Sequence, residues 1–304
     1  MKKTIQITIV LLFSSSTIFG QTKETKIADT FFKNLSYVKA SEVYKELSKN
    51  TPTEHVLKRL GDSYYNNVLM QEASDAYGEL FKNFTPKESE YMFKYAQSLR
   101  AIGNFEDSKR WMQKFNAANK EDSRGENFTN KEAVLSKIKD NKPYYQVTNL
   151  RSINTEYSDF GVTDYGNTIL FSSPRERNVF IKRNHTRNER NFLDIYKVIK
   201  DQISTKEGAV SEVRPMFADI INSKYHESSV SFSPDRKTMY FTRNNYVKGK
   251  YKVDEDGYNN LKILKAEWVF NKWDNVVELP FNSNEYSVGH PSVSKDGKKL
   301  YFAS

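Results

Sequence analysis

A small residue followed four places later by a large one recurs three times in the first half of the chain. The pairs are Ala40 with Tyr44, Ala73 with Tyr77 and Ser108 with Met112, at steps of 33 and 35 residues. Upstream of each stands a large–small–large triplet: Ile27, Ala28 and Phe31; Leu60, Gly61 and Tyr64; Tyr95, Ala96 and Leu99. At helical spacing such a triplet lets a second helix lie close over the small residue. A repeat of this length holds two helices, too few to bury their own apolar faces, so copies must stack. Thr51-Pro52-Thr53-Glu54 and Thr85-Pro86-Lys87-Glu88 are expected to open new helices, each with a hydroxyl N-cap, Pro at the first helical position and a closing Glu.

This pattern resembles tetratricopeptide repeats and extends over residues 21–119. Ser108 and Met112 depart from it in the third copy, and the large aromatic near each repeat start is missing. A helix from Asn130 to Lys139, opened by a Thr129–Glu132 capping box, is expected to cap the stack within a 120–142 linker. The resemblance implies a protein-binding concave face, whose stripe would include Phe32, Lys58, Asp62, Tyr65, Phe93 and Arg100. The alternative for these residues is plain packing between repeats. Thr25 and Asp29 occupy the places where the carboxylate-gripping members carry Lys and Asn, so a C-terminal carboxylate ligand is not implied.

From residue 143 the periodicity becomes that of strands. Residues 165–171, 235–241 and 296–302 each read as a tight turn followed by an apolar strand. Ser229–Phe232 and Pro291–Ser294 supply preceding strands, and the hairpins are spaced by 70 and 61 residues. Phe192–Val198 and Asn260–Ala266 are third strands, and Trp273–Leu279 is a fourth. Four strands per unit is the count of a propeller blade, with the excess length in loops 174–191 and 244–259.

The strings Ser231-Phe232-Ser233-Pro234-Asp235 through Phe241 and His290-Pro291-Ser292 through Ser304 are similar to the WD40-like PD40 repeats of TolB-type propellers. Together with Ile221-Asn222-Ser223 through Glu227 and Phe281-Asn282-Ser283 through Pro291, they resemble the OmpA-family envelope proteins of Bacteroidetes, most nearly the PorE-type components associated with type IX secretion. The fold expected is thus α + β multidomain: an N-terminal α-solenoid of TPR-like hairpins, then a partial β-propeller of about two and a third WD40/TolB-like blades over 143–304. The resemblance further implies a PorP/SprF-like outer-membrane β-barrel as partner. It also implies peptidoglycan anchoring through a C-terminal OmpA-like domain beyond Ser304, the chain being the front of a longer protein.

The extreme N-terminus reads as an export signal. Lys2 and Lys3 precede an apolar run from Ile5 to Phe13, and Gly20 before Gln21 is the expected cleavage site, although Ile18 is bulky for it. An uncleaved anchor is the alternative. Localisation is expected to be periplasmic, at the outer membrane. The net charge of +9 would suit an anionic surface, but export argues against nucleic acid. There are no cysteines, which excludes disulfides, thiolate metal sites and a cysteine nucleophile.

Reactive constellations are not expected. His55, His185, His226 and His290 lack metal-ligand spacing, and neither a nucleophile elbow nor a phosphate loop is present. His55 is expected to be solvated on its helix, and His226 and His290 structural. Asp254-Glu255-Asp256-Gly257-Tyr258 begins like a calcium loop, but Tyr258 and Lys265 break the ligand pattern, leaving a solvated turn. Arg175, Arg177, Lys182, Arg183, Arg187 and Arg190 form a basic loop, either a solvated connection or a contact for lipid phosphate or an acidic partner. The expectation is a non-enzymatic scaffold without cofactors. The rivals are an exported peptidase with its catalytic domain beyond Ser304, and a TolB-like soluble adaptor.

Overall fold

The computed structural model describes residues 22–125, 128, 145–176, 184–206, 211–216 and 220–304. The export signal, the helix expected at Asn130–Lys139, and Arg177, Lys182 and Arg183 lie outside them. The chain divides into two compact units, 1–134 and 135–304.

Six α-helices are bounded within the described residues of the first unit: α1 (Lys23–Lys33), α2 (Tyr37–Asn50), α3 (Glu54–Asn66), α4 (Met70–Asn83), α5 (Glu90–Ala101) and α6 (Phe105–Ala118). They form three hairpins stacked in sequence, so the TPR-like arrangement of the helices is present. The repeated small residues are the seams. Ala28, Ala40, Ala73 and Ala96 are wholly buried, and a Cβ placed on Gly61 would stand 2.4 Å from the Tyr77 ring. Tyr44 and Tyr77 are wholly buried too.

The helix starts differ from expectation. Thr53, not Thr51, caps α3, its hydroxyl accepting from Val56 N at 3.2 Å. Pro52 explains the shift: the residue before a proline is driven out of the helical region, and Thr51 closes α2 at φ −140° and ψ 69°. Likewise α5 begins at Glu90 after Ser89, well past Thr85-Pro86.

The second unit is built of antiparallel meanders. In the first sheet, β1 (Phe160–Tyr165), β2 (Thr168–Ser173), β3 (Asp194–Ile199) and β4 (Arg214–Pro215) lie side by side in chain order. Only two residues long, β4 stops at Pro215, which has no N–H for the ladder. A second sheet repeats the order with β5 (Glu227–Phe232), β6 (Thr238–Asn244), β9 (Leu261–Val269) and β10 (Lys272–Glu278). The small hairpin β7 (Tyr246–Val247) and β8 (Lys250–Tyr251) is inserted after β6. A third pair follows, β11 (Gly289–Val293) with β12 (Leu300–Ala303). The described residues form antiparallel sheets and no closed ring.

One apolar cluster joins the first two sheets: Leu170, Ile195, Met239, Phe241, Leu264 and Trp273 are all 1% exposed or less. Phe171, Tyr196 and Val198, on the opposite face of the first sheet, pack with Ile153. Both faces are therefore covered, which is why β2 reads as the continuous apolar run Ile169-Leu170-Phe171 rather than an alternation.

The sheets are stitched by a repeated device. The first strand of each carries a register shift with one residue at positive φ: Gly161 (68°), Ser229 (46°) and His290 (55°). The bulge turns the backbone N–H of Ser229 to Ser172 Oγ on β2 at 3.3 Å, and that of His290 to Thr242 Oγ1 on β6 at 2.9 Å. Asparagines repeat similarly. Asn222 accepts from Ile195 N at 2.8 Å and donates to Ile195 O at 2.9 Å; Asn282 does the same to Ile263 at 3.0 and 2.8 Å. Each amide mimics a neighbouring strand and satisfies a backbone pair that would otherwise be bare.

Candidate partner-binding face

Lys58, Asp62 and Tyr65 follow one another at helical spacing along one side of α3, and Tyr91 and Lys94 stand opposite on α5. Asp62 is 3% exposed and heavily partnered. It accepts from the Tyr77 hydroxyl at 2.9 Å, from Lys94 Nζ at 2.6 Å and from the Tyr91 hydroxyl at 3.5 Å. Burial first, and then the Asp62 charge, push the Tyr77 and Tyr91 hydroxyls far above the usual tyrosine range, so both remain donors. Lys58 Nζ joins Glu54 at 2.5 Å and Glu88 at 2.6 Å, and lies 5.0 Å above the Tyr91 ring.

The preceding hairpin repeats the tyrosine–aspartate bond, with Tyr44 donating to Asp29 and His55 Nε2 2.7 Å from the same oxygen. His55 lies on its helix with 40% of its side chain exposed, and is in addition tied to Asp29. A Tyr–Asp–His series suggests proton relay, but the Tyr44 hydroxyl sits on a wholly buried side chain and cannot meet a substrate. In the third hairpin, Gln97 and Met112 take the places of Asp62 and Tyr77. The hydroxyl donor is gone and a neutral amide stands in for the carboxylate, so no buried charge is left without its donor.

The predicted stripe is not one surface. Phe32, Lys58, Asp62 and Tyr65 belong to one ladder. The Arg59 guanidinium lies 4.5 Å above Phe32, and Lys94 Nζ lies 6.0 Å above Tyr65. The cations are 35 residues apart and the rings 33, so the repeat carries its own inter-hairpin contact. Phe93 is separate, under the Arg124 guanidinium at 4.2 Å, with Arg124 bound to Glu90 at 2.7 Å and Asp122 at 2.8 Å. Arg100 stands exposed in the last turn of α5, where the ladder's aromatic place has become a cation. Sequence reasoning missed Arg59, Lys94, Tyr91 and Arg124, though the 35-residue step from Arg59 to Lys94 was there to be found.

The basic loop is not one surface. Arg175 is a structural residue, contrary to expectation: its side chain is 14% exposed. It binds Asp159 Oδ1 and Ile153 O, both at 2.9 Å, and covers Phe171 and Tyr196. Burial works against ionised Asp159, but hydrogen bonds from Ser173, Thr155 and Arg175 prevail and hold it below the usual range. Arg190 lies over Tyr157 at 5.6 Å, and Arg187 is exposed.

His226 Nδ1 accepts from Leu193 N at 2.9 Å, the place filled by Ser287 Oγ toward Leu261 N in the next unit. Burial, aided by His185, lowers its pKa to about 3. Asp254 closes its own turn, its Oδ1 accepting from Asp256 N and Tyr258 N. Among the described residues no acidic or histidine group has metal-holding geometry, and no helix is long and apolar enough to cross a membrane.

No model of a protein family matches the chain, and no curated protein does. Among solved structures it is similar to the C-terminal part of a TPR repeat-containing protein from Cytophaga hutchinsonii, at 21% identity with a TM-score of 0.29. The match covers 31% of this chain and 38% of that one. So partial an overlay adds nothing to the hairpin geometry, on which the helical reading stands.

Proposed function

We propose that the protein is a non-enzymatic scaffold of the bacterial envelope, exported to the periplasm, whose helical unit grips a partner protein while its sheets form a rigid platform. The ladder on α1, α3 and α5 carries the reading. Its charges and aromatics are already fixed against one another, giving a preorganised surface that loses little entropy on binding. The described titratable clusters serve packing, and none converges with a nucleophile on an open cavity.

For the sheets, we read the two meanders as successive blades of a TolB-like propeller of the PD40 type. Their common strand order and the repeated bulge-to-hydroxyl stitch support this. With the export signal and the helical hairpins, that points to the OmpA-family, PorE-like envelope proteins, and to a PorP/SprF-like outer-membrane barrel as partner. Peptidoglycan would be held by a further C-terminal domain.

The test is crosslinking in intact cells expressing the full-length gene, followed by co-purification of that barrel. Lys58→Glu with Tyr65→Ala should abolish recovery while the melting transition of the sheets is unchanged. Undiminished recovery would overturn the assignment of the face, and turnover of a peptide substrate by the purified protein would overturn the scaffold reading.

A further inference from the structure

The β7–β8 hairpin has two chemically different faces. Tyr246 pairs with Tyr251, so their side chains share one side, and both pack on Tyr225 at 5.0 and 4.8 Å. Alternation puts Val247 and its partner Lys250 on the other side. Lys252, whose N–H bonds Asn245 O, continues that side together with Asn245. On this second face Val247 packs in part against the core cluster, while Lys250 and Lys252 stand exposed. With Val276, Val277 and Glu278 at the end of the outer strand β10, and with Lys248 at the turn, this face walls a cavity of about 290 Å³.

The charge in that wall is unbalanced. Glu278 is its one acidic residue, and Lys262 Nζ, on a side chain 4% exposed, neutralises it at 2.9 Å. Among the described residues no carboxylate lies within ion-pair distance of Lys248, Lys250 or Lys252. Some other lysines of these sheets are matched, Lys200 with Asp164, Lys265 with Glu267 and Lys272 with Asp274. Three unmatched ammonium groups beside three valines suit a ligand with carboxylates and aliphatic carbon in alternation. A lone small anion would fill little of the volume and leave the valines wet.

We propose that this groove binds an extended acidic peptide segment, its carboxylates on Lys248, Lys250 and Lys252 and its apolar side chains against Val247, Val276 and Val277. The site is independent of the α1/α3/α5 face, and either assignment can fail alone.

The probe is a short, fluorescein-labelled alternating Val–Glu peptide, titrated into the purified full chain at low salt and followed by anisotropy. Saturable binding is expected, weakened by about tenfold or more in Lys248→Glu/Lys250→Glu/Lys252→Glu. Carbodiimide coupling of the peptide to the unaltered protein should map to these lysines, a readout that does not depend on the variant's folding. Lys58→Glu with Tyr65→Ala should leave the peptide's affinity unchanged. The proposal is overturned by equal binding of a Val–Lys peptide, by a triple variant within about twofold of the parent, or by couplings elsewhere. It is equally overturned if anionic phospholipid vesicles bind through the three lysines while the peptide does not.

Discussion

The helical and sheet units solve the joining of repeats in opposite ways. Hairpins close on themselves through a small residue and a tyrosine–aspartate bond, and meet one another through side chains too: Lys94 reaches Asp62, and a cation covers the ring of the hairpin before it. Sheets share an apolar cluster but add a backbone device, in which the left-handed Ser229 and His290 each turn the N–H to a hydroxyl of the previous sheet. The contrast teaches what constrains each sequence. A side-chain seam demands residue types at fixed steps, whereas a backbone stitch demands a conformation and one acceptor, leaving the bulge residue as Gly161, Ser229 or His290.

The largest expected effect tests where the sheets tolerate buried charge. Glu227 is wholly buried, Arg243 Nε lies 2.8 Å from Glu227 Oε1, and Arg243 also donates to Ile220 O and Ile221 O. Burial outweighs the Arg243 charge and raises the Glu227 pKa to about 7. Arg243→Leu removes the charge that opposes this rise, so the buried glutamate must stay protonated at pH 8, where the parent ionises it; the cost should be about 3–5 kcal/mol there and clearly less at pH 5, where both hold the proton. In the parent, a raised carboxylate pKa means extra protons in the folded state, so its contribution is complete below about pH 4.5 and lost as pH rises through about 7. Glu227→Gln should remove that fall, about 3 kcal/mol at most. His226 acts with the opposite sign, its depressed pKa losing stability as pH drops below about 6.5. Denaturant titrations of parent and Glu227→Gln above pH 6.5 isolate the glutamate. No difference in slope there would sink the assignment.

Next comes the helical seam. Gly61→Ala puts a methyl into the Tyr77 ring, an overpacking cost of about 1–3 kcal/mol, which exceeds the roughly 1 kcal/mol that alanine gains in a helix. Thermal unfolding of the helical unit should fall, whereas the equivalent Ala96→Gly should lose only helix propensity and packing. If Gly61→Ala melted at or above the parent temperature, the close approach of α3 and α4 would be wrong.

These seams explain how much of the molecule could be read in advance. Ala28, Ala40, Ala73 and Ala96 announced the helical hairpins because nothing larger fits between the crossing helices. The strand pairs were visible in Ser233-Pro234-Asp235 and Lys295-Asp296-Gly297, whose aspartates do accept the N–H two residues on. Arg175 was misread because its position in a charged run says nothing of the buried Asp159 that claims it. The lysines at and beside the β7–β8 hairpin were absorbed into a loop, because their grouping arises only when a two-residue ladder and the Lys252–Asn245 bond set Lys250 and Lys252 on one side.

A smaller effect tests the stitch itself. Ser172→Ala and Thr242→Val each strand a backbone N–H, of Ser229 and His290 respectively, and each should cost about 1–2 kcal/mol. Amide hydrogen exchange should accelerate at Ser229 in the first variant and at His290 in the second. Unchanged exchange at both would make the hydroxyls incidental.

The smallest effect sharpens the contrast at the turns. Gly166, Arg236 and Gly297 hold equivalent places before the second strand of each sheet, and all three have positive φ, of 66°, 56° and 71°. Glycine takes that conformation without strain, and arginine does not. Arg236 brings one compensating contact, an exposed pairing with Asp164 at 3.3 Å, of the kind that contributes little. Arg236→Gly should thus be neutral or stabilising by up to about 1 kcal/mol, by the same denaturant titration. A loss beyond that size would mean that the guanidinium, lying 3.3 Å from where a Cβ on Gly166 would be, joins the two turns, adding a polar link to the apolar cluster and the backbone stitches between the sheets.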